Sequence, residues 1–383
     1  WCRGYWSALV VRIYSSAILF TAYISRRGIL KALLKPLLKT LLKTLLKTLL
    51  KPLSLTISVL FFLVLGGCEE VSNGPIKVGT ILWPGYEPLY LAREQAFFSE
   101  QDVELIELSS STGVIRAMKN GSLQAATLTL DEAISLLVTG VDIDIVAALD
   151  VSQGADMVIA QEPLASLNDV KGKRIGVDKG AVGGVMLVGF LEFAGVSASE
   201  VEIVPLKIQN HFSAFHQIDV DIVVTYQPVA GELLREGGHK VFDSSNIPNQ
   251  IMDVLVVRRD AIPDYSGQLQ VLVDGYFSAR QLMNDDRAAA LIDMSLRSGI
   301  STEQLEAAYG GLHLPTLEEN RIWLGRCGQF MGRRIQQLSE LMKNHGLIDI
   351  LPSDNLICDA TWVQNVKAQG VKVQETGMKG MSQ

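Results

Sequence analysis

Four short segments hold side chains whose types could bind a small molecule. The first is Trp83-Pro84-Gly85-Tyr86-Glu87. A Trp and a Tyr flanking a Pro-Gly turn offer flat apolar faces with polar tips, and Glu87 adds a charge, a mix favoured in small-molecule pockets. Trp83 could instead simply pack on the helix that follows. The second segment is Ser109-Ser110-Ser111-Thr112-Gly113, where Ser110 and Thr112 at a helix start can cap free amides or receive an anion. The third is Thr127-Leu128-Thr129-Leu130-Asp131. Thr129 or Asp131 caps the next helix, and Asp131 turned toward a ligand would favour a cation or a hydrogen-bond donor. The fourth is Lys179-Gly180-Ala181-Val182-Gly183, whose glycines leave backbone amides open at a helix start. That geometry receives carboxylate, sulfonate or nitrate oxygens. Tyr226 and Gln227 would close over the same space. Helix N-termini argue for an anion, yet Trp83, Tyr86, Glu87 and Asp131 could equally form a cation-holding cage.

Other chemistries find no footing. The chain lacks G-x-x-x-x-G-K-[ST], G-x-S-x-G and H-E-x-x-H, so neither a nucleotide loop nor a catalytic residue is assigned. His211 and His216 do not share the i, i+4 spacing of helical metal ligands, and no Cys/His spacing resembles a zinc site. Neither a metal nor a cofactor is expected. Cys327 and Cys358 could pair in an exported chain or remain two buried thiols.

The elements that must position these residues alternate strand and helix. Strands are predicted at Ile76–Leu82, Val103–Leu108, Ala125–Leu128, Val141–Leu149 and Asp156–Ala160, with helices between them. The rhythm restarts after Pro163 with strands at Arg174–Val177, Val201–Val204, Val220–Val224, Lys240–Phe242 and Met252–Val257. From Gln268 the chain turns helical, including one long helix from Leu317 to Leu341. Such alternation means an α/β fold with mostly parallel sheets. Two lobes are expected, residues 76–162 with 250–350 and residues 163–249, followed by an extension at 351–383. The hinges are placed near Pro163 and near Asn249–Asp253.

Charge divides the 383 residues unevenly. Residues 1–67 hold ten of the 34 Lys and Arg and no acid, so residues 68–383 carry 24 bases against 41 acids. A body that acidic repels phosphate, which excludes a nucleic-acid partner. Within the leader a Lys-x-Leu-Leu unit recurs from Lys31 to Lys51, a compositional tract. Pro52 to Gly67 is apolar and uncharged, follows lysines, and precedes Cys68-Glu69-Glu70. That is the pattern of a secretory signal peptide, and it is too short for the ~20 residues of a membrane span. Residues 68–75 form a tether.

Leu65-Gly66-Gly67-Cys68 resembles the lipobox of bacterial lipoproteins, which implies lipidation at Cys68. The body as a whole resembles the nitrate/sulfonate/taurine-type periplasmic binding proteins of ABC transporters, a family that includes pyrimidine-precursor binders. Carrying the resemblance are Tyr90-Leu91-Ala92-Arg93 before Ala96-Phe97-Phe98, Gly121 to Ala126, Leu167 to Val177, Leu191 to Val196 and Val220 to Pro228. It covers about Ile76 to Leu347. The resemblance implies a two-lobed periplasmic-binding-protein fold, type II-like, each lobe a mixed sheet flanked by helices, with a helical C-terminal tail. It also implies a small solute in the interlobe cleft, hinge closure, and an ABC permease as partner. The protein would be a monomer in the periplasm or on the cell surface, held to the membrane by its lipid. It inclines the cargo toward an anion such as nitrate, a sulfonate or taurine. A pyrimidine-precursor or amine binder, and an enzyme or sensor on the same fold, are the alternatives. The pyrimidine-synthase relatives use a reactive His and a cysteine-rich segment, which this sequence lacks.

Overall fold

The computed structural model describes residues 38–45, 74–327, 329–352 and 357–367. The expected signal peptide, Cys68, the expected tether up to residue 73 and the tail from Gly370 lie outside the described residues. Residues 38–45 form a short exposed helix in a separate unit, and Asn73–Gln383 form one compact unit.

Two mixed sheets organise that unit. In the first, β1 (Ile76–Thr80), β2 (Val103–Glu107), β3 (Ala125–Thr129) and β4 (Ile143–Ser152) come from the start of the unit. The second holds β5 (Asp156–Ala160), β6 (Arg174–Val177), β7 (Glu202–Pro205), β8 (Ile222–Tyr226) and β9 (His239–Asp243). β10 (Met252–Arg258) then returns to the first sheet, whose order runs β4-β10-β3-β1-β2, against β9-β5-β8-β6-β7 in the second. Each sheet thus holds one strand that arrives antiparallel, β10 between β3 and β4, and β5 between β8 and β9. The remaining pairs on each path are parallel. β3, β4 and β5 are buried at every position, which is why they read as nearly continuous apolar runs.

The chain passes between sheets at residues 153–155 and 244–251. Ser152 Oγ lies 2.8 Å from Ser244 Oγ, and the Gly154 amide donates to Ser244 Oγ at 2.7 Å, so the two crossings are bonded side by side. The first crossing therefore falls before β5, not near Pro163, and β5 belongs to the second sheet rather than the first. Local periodicity identifies a strand but not the sheet it joins, because pairing with β8 and β9 is made far along the chain. The second crossing begins earlier than the expected Asn249–Asp253.

Helices cover both sheets. α1 (Glu87–Glu94), α2 (Ser111–Lys119) and α3 (Leu130–Val138) follow strands of the first sheet. α4 (Gly183–Ala194), α5 (His211–His216) and α6 (Val229–Arg235) follow strands of the second. Beyond β10, α7 (Ile262–Asp285), α8 (Arg287–Ser298) and α9 (Thr302–Tyr309) extend the helical layer over α1. The single helix expected from Leu317 to Leu341 is two, α10 (Leu317–Gly325) and α11 (Met331–Asn344). Cys327 sits in the break and is disulfide-bonded to Cys358, their Cα atoms 5.7 Å apart. The residues expected as an extension also return to the core. From them β12 (Ile357–Cys358) pairs with the end of β4 opposite to that paired by β11 (Leu312–His313), and α12 (Thr361–Gln364) packs against β4, α7 and α10.

Candidate functional site

In open α/β sheets, ligands bind beyond the carboxyl ends of the strands. Here the carboxyl ends of β1 and β3 face those of β6 and β8 across a narrow cleft holding two adjoining cavities of about 20 Å³ each. Ser111, Asp156, Val182 and Tyr226 line both. Trp83 ends the extended stretch after β1, and Pro84–Tyr86 wind into a single 3-10 turn. Trp83 meets Tyr226 edge to face, ring centroids 5.8 Å apart, so one aromatic from each sheet closes the cleft.

Behind the aromatics stand buried acids. Asp150 on β4 and Asp253 on β10 are direct cross-strand partners. The Trp83 indole donates to Asp150 Oδ2 at 3.0 Å, and the Tyr86 hydroxyl donates to Asp253 Oδ1. Gly85 is required at this turn, because a Cβ there would overlap the Asp150 carboxylate. Two carboxyls placed opposite each other repel, and sharing a proton relieves the repulsion. Burial raises both, and the neighbouring Asp150 raises Asp253 further.

Asp156 opens the second sheet at the start of β5 and is 2% exposed. Burial pushes it up to about 7, against the opposing pull of the Ser152 hydroxyl. Glu132 is placed by a capping box, the Thr129 amide donating to its Oε2 at 3.0 Å at the start of α3. Burial raises Asp131 and Glu132, and the charge of Asp131 raises Glu132 further. Glu132 Oε1, Asp156 Oδ2 and Thr225 Oγ1 are buried without a hydrogen-bond partner in the protein, and Asp150 Oδ1 and Asp253 Oδ2 have none beyond the proton the two acids share. His211, on the second-sheet wall, is driven down to about 4 by burial and is neutral at pH 7.

The sequence profile of the NMT1-like family matches residues 70–294. The chain belongs to that family. A binding protein of Brucella abortus (strain 2308) is 34% identical over 79 residues, 21% of this chain and 25% of the relative. The taurine-binding periplasmic protein of Escherichia coli (strain K12) is 22% identical over 202 residues, 51% of this chain and 62% of the relative. The NMT1-like chain thus spans about a quarter of the Brucella relative and just under two thirds of the taurine-binding one. Among solved structures, the ligand binding component of an ABC-type import system from Staphylococcus aureus, crystallised with zinc, superposes with a TM-score of 0.64 at 15% identity. That match covers 77% of this chain and 99% of the other. The fold is that of the periplasmic binding proteins.

This NMT1-like cleft gathers Trp83, Tyr86, Ser110, Thr129, Ala181, Val182 and Tyr226 around its cavities. The other residues singled out from the sequence stand elsewhere. Glu87 is 0% exposed and turns away from the cavities onto Arg297, whose guanidinium donates to both its carboxylate oxygens. Asp131, beside Glu132, is buried without lining either cavity. Thr112 sits at the rim, its Oγ1 accepting from Lys207 Nζ at 3.1 Å. Gln227 bonds within the second sheet, its amide donating to the Ala155 carbonyl and its Oε1 accepting from the Gly231 amide.

Gly180 does not offer an open amide. Its N–H donates to Asp178 Oδ1 at 3.2 Å and the Ala181 N–H to the Asp178 carbonyl, so the expected anion-receiving turn is filled from within. Sequence reasoning missed Glu132, Asp156, Asp178 and Asp253. A signal for two of them was present: an acid at the edge of an apolar strand, as in Asp156-Met-Val-Ile-Ala and Met252-Asp253-Val-Leu-Val-Val, is costly to bury without a purpose.

Proposed function

We propose that this NMT1-like protein is the extracytoplasmic solute-binding component of an ABC importer. It captures a small solute between its two sheets, closes over it, and presents the closed form to a permease. The observation that carries the reading is the acid-bearing cleft at the facing strand ends, lined from both sheets, which two short crossings join among the described residues. A solute touching Trp83 and Glu132 on one side and Asp156 and Tyr226 on the other would bias the closed state by its differential contacts. The names of the relatives support it. One binds taurine in the periplasm, and the other serves an ABC-type import system. Those relatives are binding proteins rather than enzymes, and the same is proposed here. Periplasmic or surface location, a lipid anchor at Cys68 and a monomeric state belong to the same reading. Conversion of Cys68 to Ser should then release the protein from the membrane fraction.

Trp83 supplies the test of solute capture. Adding a low-molecular-mass extract of bacterial cells should change the intrinsic tryptophan fluorescence of the full chain, and Trp83→Phe should abolish the change. A wild-type spectrum unmoved by every fraction would remove the solute-binding reading.

A further inference from the structure

We propose that the cleft is built for a small organic cation that donates hydrogen bonds, such as a protonated amine or amidine, and not for a free anion. This rests on the solute-binding reading and adds the class of solute. The lining carries four carboxylates, Glu132, Asp156, Asp178 and Asp253, and no Lys or Arg. Three of the four, Glu132, Asp156 and Asp253, are 1–2% exposed; Glu132 and Asp156 each have an oxygen that no protein donor reaches, and the free oxygen of Asp253 has only the proton it shares with Asp150. The Thr225 hydroxyl, 2% exposed on the opposite wall, is likewise unpartnered.

A buried carboxylate left without donors is unfavourable, so each such oxygen calls for an N–H or O–H from outside the chain. An anion in the same space would meet these acids with no Lys or Arg in the lining to balance its charge. Lys207, the cation at the rim, is already held by Asp178 at 2.9 Å and by Thr112. The Gly180 and Ala181 amides are given to the same Asp178.

The kind of cation follows from geometry. Among the described residues no group of three or more His, Cys, Asp or Glu converges as metal ligands, so the carboxylates are spread along an extended ligand rather than gathered on a point. A quaternary ammonium could lie against the Trp83 and Tyr226 rings. It has no N–H, however, and would leave the carboxylate oxygens unsatisfied. An amine or amidine meets both demands.

The test uses the full chain and a cell extract supplemented with equal amounts of taurine, ethanesulfonate, nitrate, agmatine, histamine and tetramethylammonium. The protein is desalted, then denatured, and the released compounds are identified by mass spectrometry. We expect the retained compound to carry a protonated N–H group at neutral pH. Taurine should outcompete ethanesulfonate, which differs from it by the ammonium alone. Retention should fall at least tenfold in Glu132→Gln and in Asp156→Asn, while both variants melt at or above the wild-type temperature, since each loses an unpaired buried acid. Retention of nitrate or ethanesulfonate would overturn the cation assignment and leave solute binding intact. So would equal retention of a cation by both variants, or variants that both melt below wild type. Retention of nothing at all would overturn the solute-binding reading and this proposal with it.

Discussion

Two regions of the first sheet bury acids at nearly the same depth and treat them in opposite ways. At Glu87, 0% exposed, the Arg297 guanidinium bonds both carboxylate oxygens, also reaches Glu107 at 2.7 Å, and lies 3.8 Å over the Tyr90 ring. Every face of that charge is answered by the chain. Some residues away, Glu132, Asp150 and Asp253 face Asp156 of the second sheet across the cleft, and an oxygen of Glu132 and one of Asp156 are answered by nothing in the protein. The first arrangement ties α1 to α8 and leaves no room for a visitor. The second holds electrostatic strain open toward a cavity. Placing equal acids in unequal company separates a structural ion pair from a binding wall.

The contrast can be broken from the structural side. Arg297→Met should strand Glu87 as a buried, unpaired acid, a loss of about 3–5 kcal/mol for removing one partner of a buried pair. Chemical denaturation of the variant measures it, and a loss below about 1 kcal/mol would mean that Glu87 behaves as a surface group. Next in size, Gly85→Ala drives a methyl into the Asp150 carboxylate. Such overpacking costs about 1–3 kcal/mol, and it should also displace Trp83 and so alter its fluorescence. Normal stability with an unchanged spectrum would show that the turn yields freely.

The smallest effect sharpens the comparison through pH. Asp156 is raised to about 7 in the folded protein, above its unfolded value, so its favourable contribution is full at low pH and is lost as pH rises through 7. Glu87, raised by burial to about 7 even with Arg297 beside it, acts in the same sense. His211 is lowered to about 4 and opposes them only below its unfolded value near 6.5. The unliganded protein should therefore melt higher at about pH 6.5 than at about pH 8, by on the order of a few degrees. Asp156→Asn should flatten part of that slope, and a variant that keeps the full slope would place its source elsewhere.

Much of the fold was legible because its signals are local. Asp156–Ala160 and Arg174–Val177 read as strands from apolar periodicity alone, and the chain beyond Gln268 reads as helical, as α7, α8 and α9 bear out. The turn residues after β1 and β8 also disclosed that Trp83 and Tyr226 lie at strand ends, which in an α/β sheet is where ligands collect. Local signals failed where a residue's role depends on a distant neighbour. Nothing near Glu87 in the chain announces Arg297, and nothing near Asp178 discloses that it will occupy the amides of Gly180 and Ala181.

The amino-acid sequence by itself determined the order of strands and helices, the acidic balance of the body and the aromatic turn at Trp83, because propensity, periodicity and charge are carried by neighbouring residues. Only the tertiary structure decided that β5 crosses to the second sheet, that Cys327 meets Cys358, and that Glu132, Asp156 and Asp253 line one cleft. Those three acids are far apart in sequence and become neighbours only when β10 inserts beside β3 and β5 beside β8. Their scarcity of partners is a property of the space so enclosed, whose lining among the described residues carries no lysine or arginine.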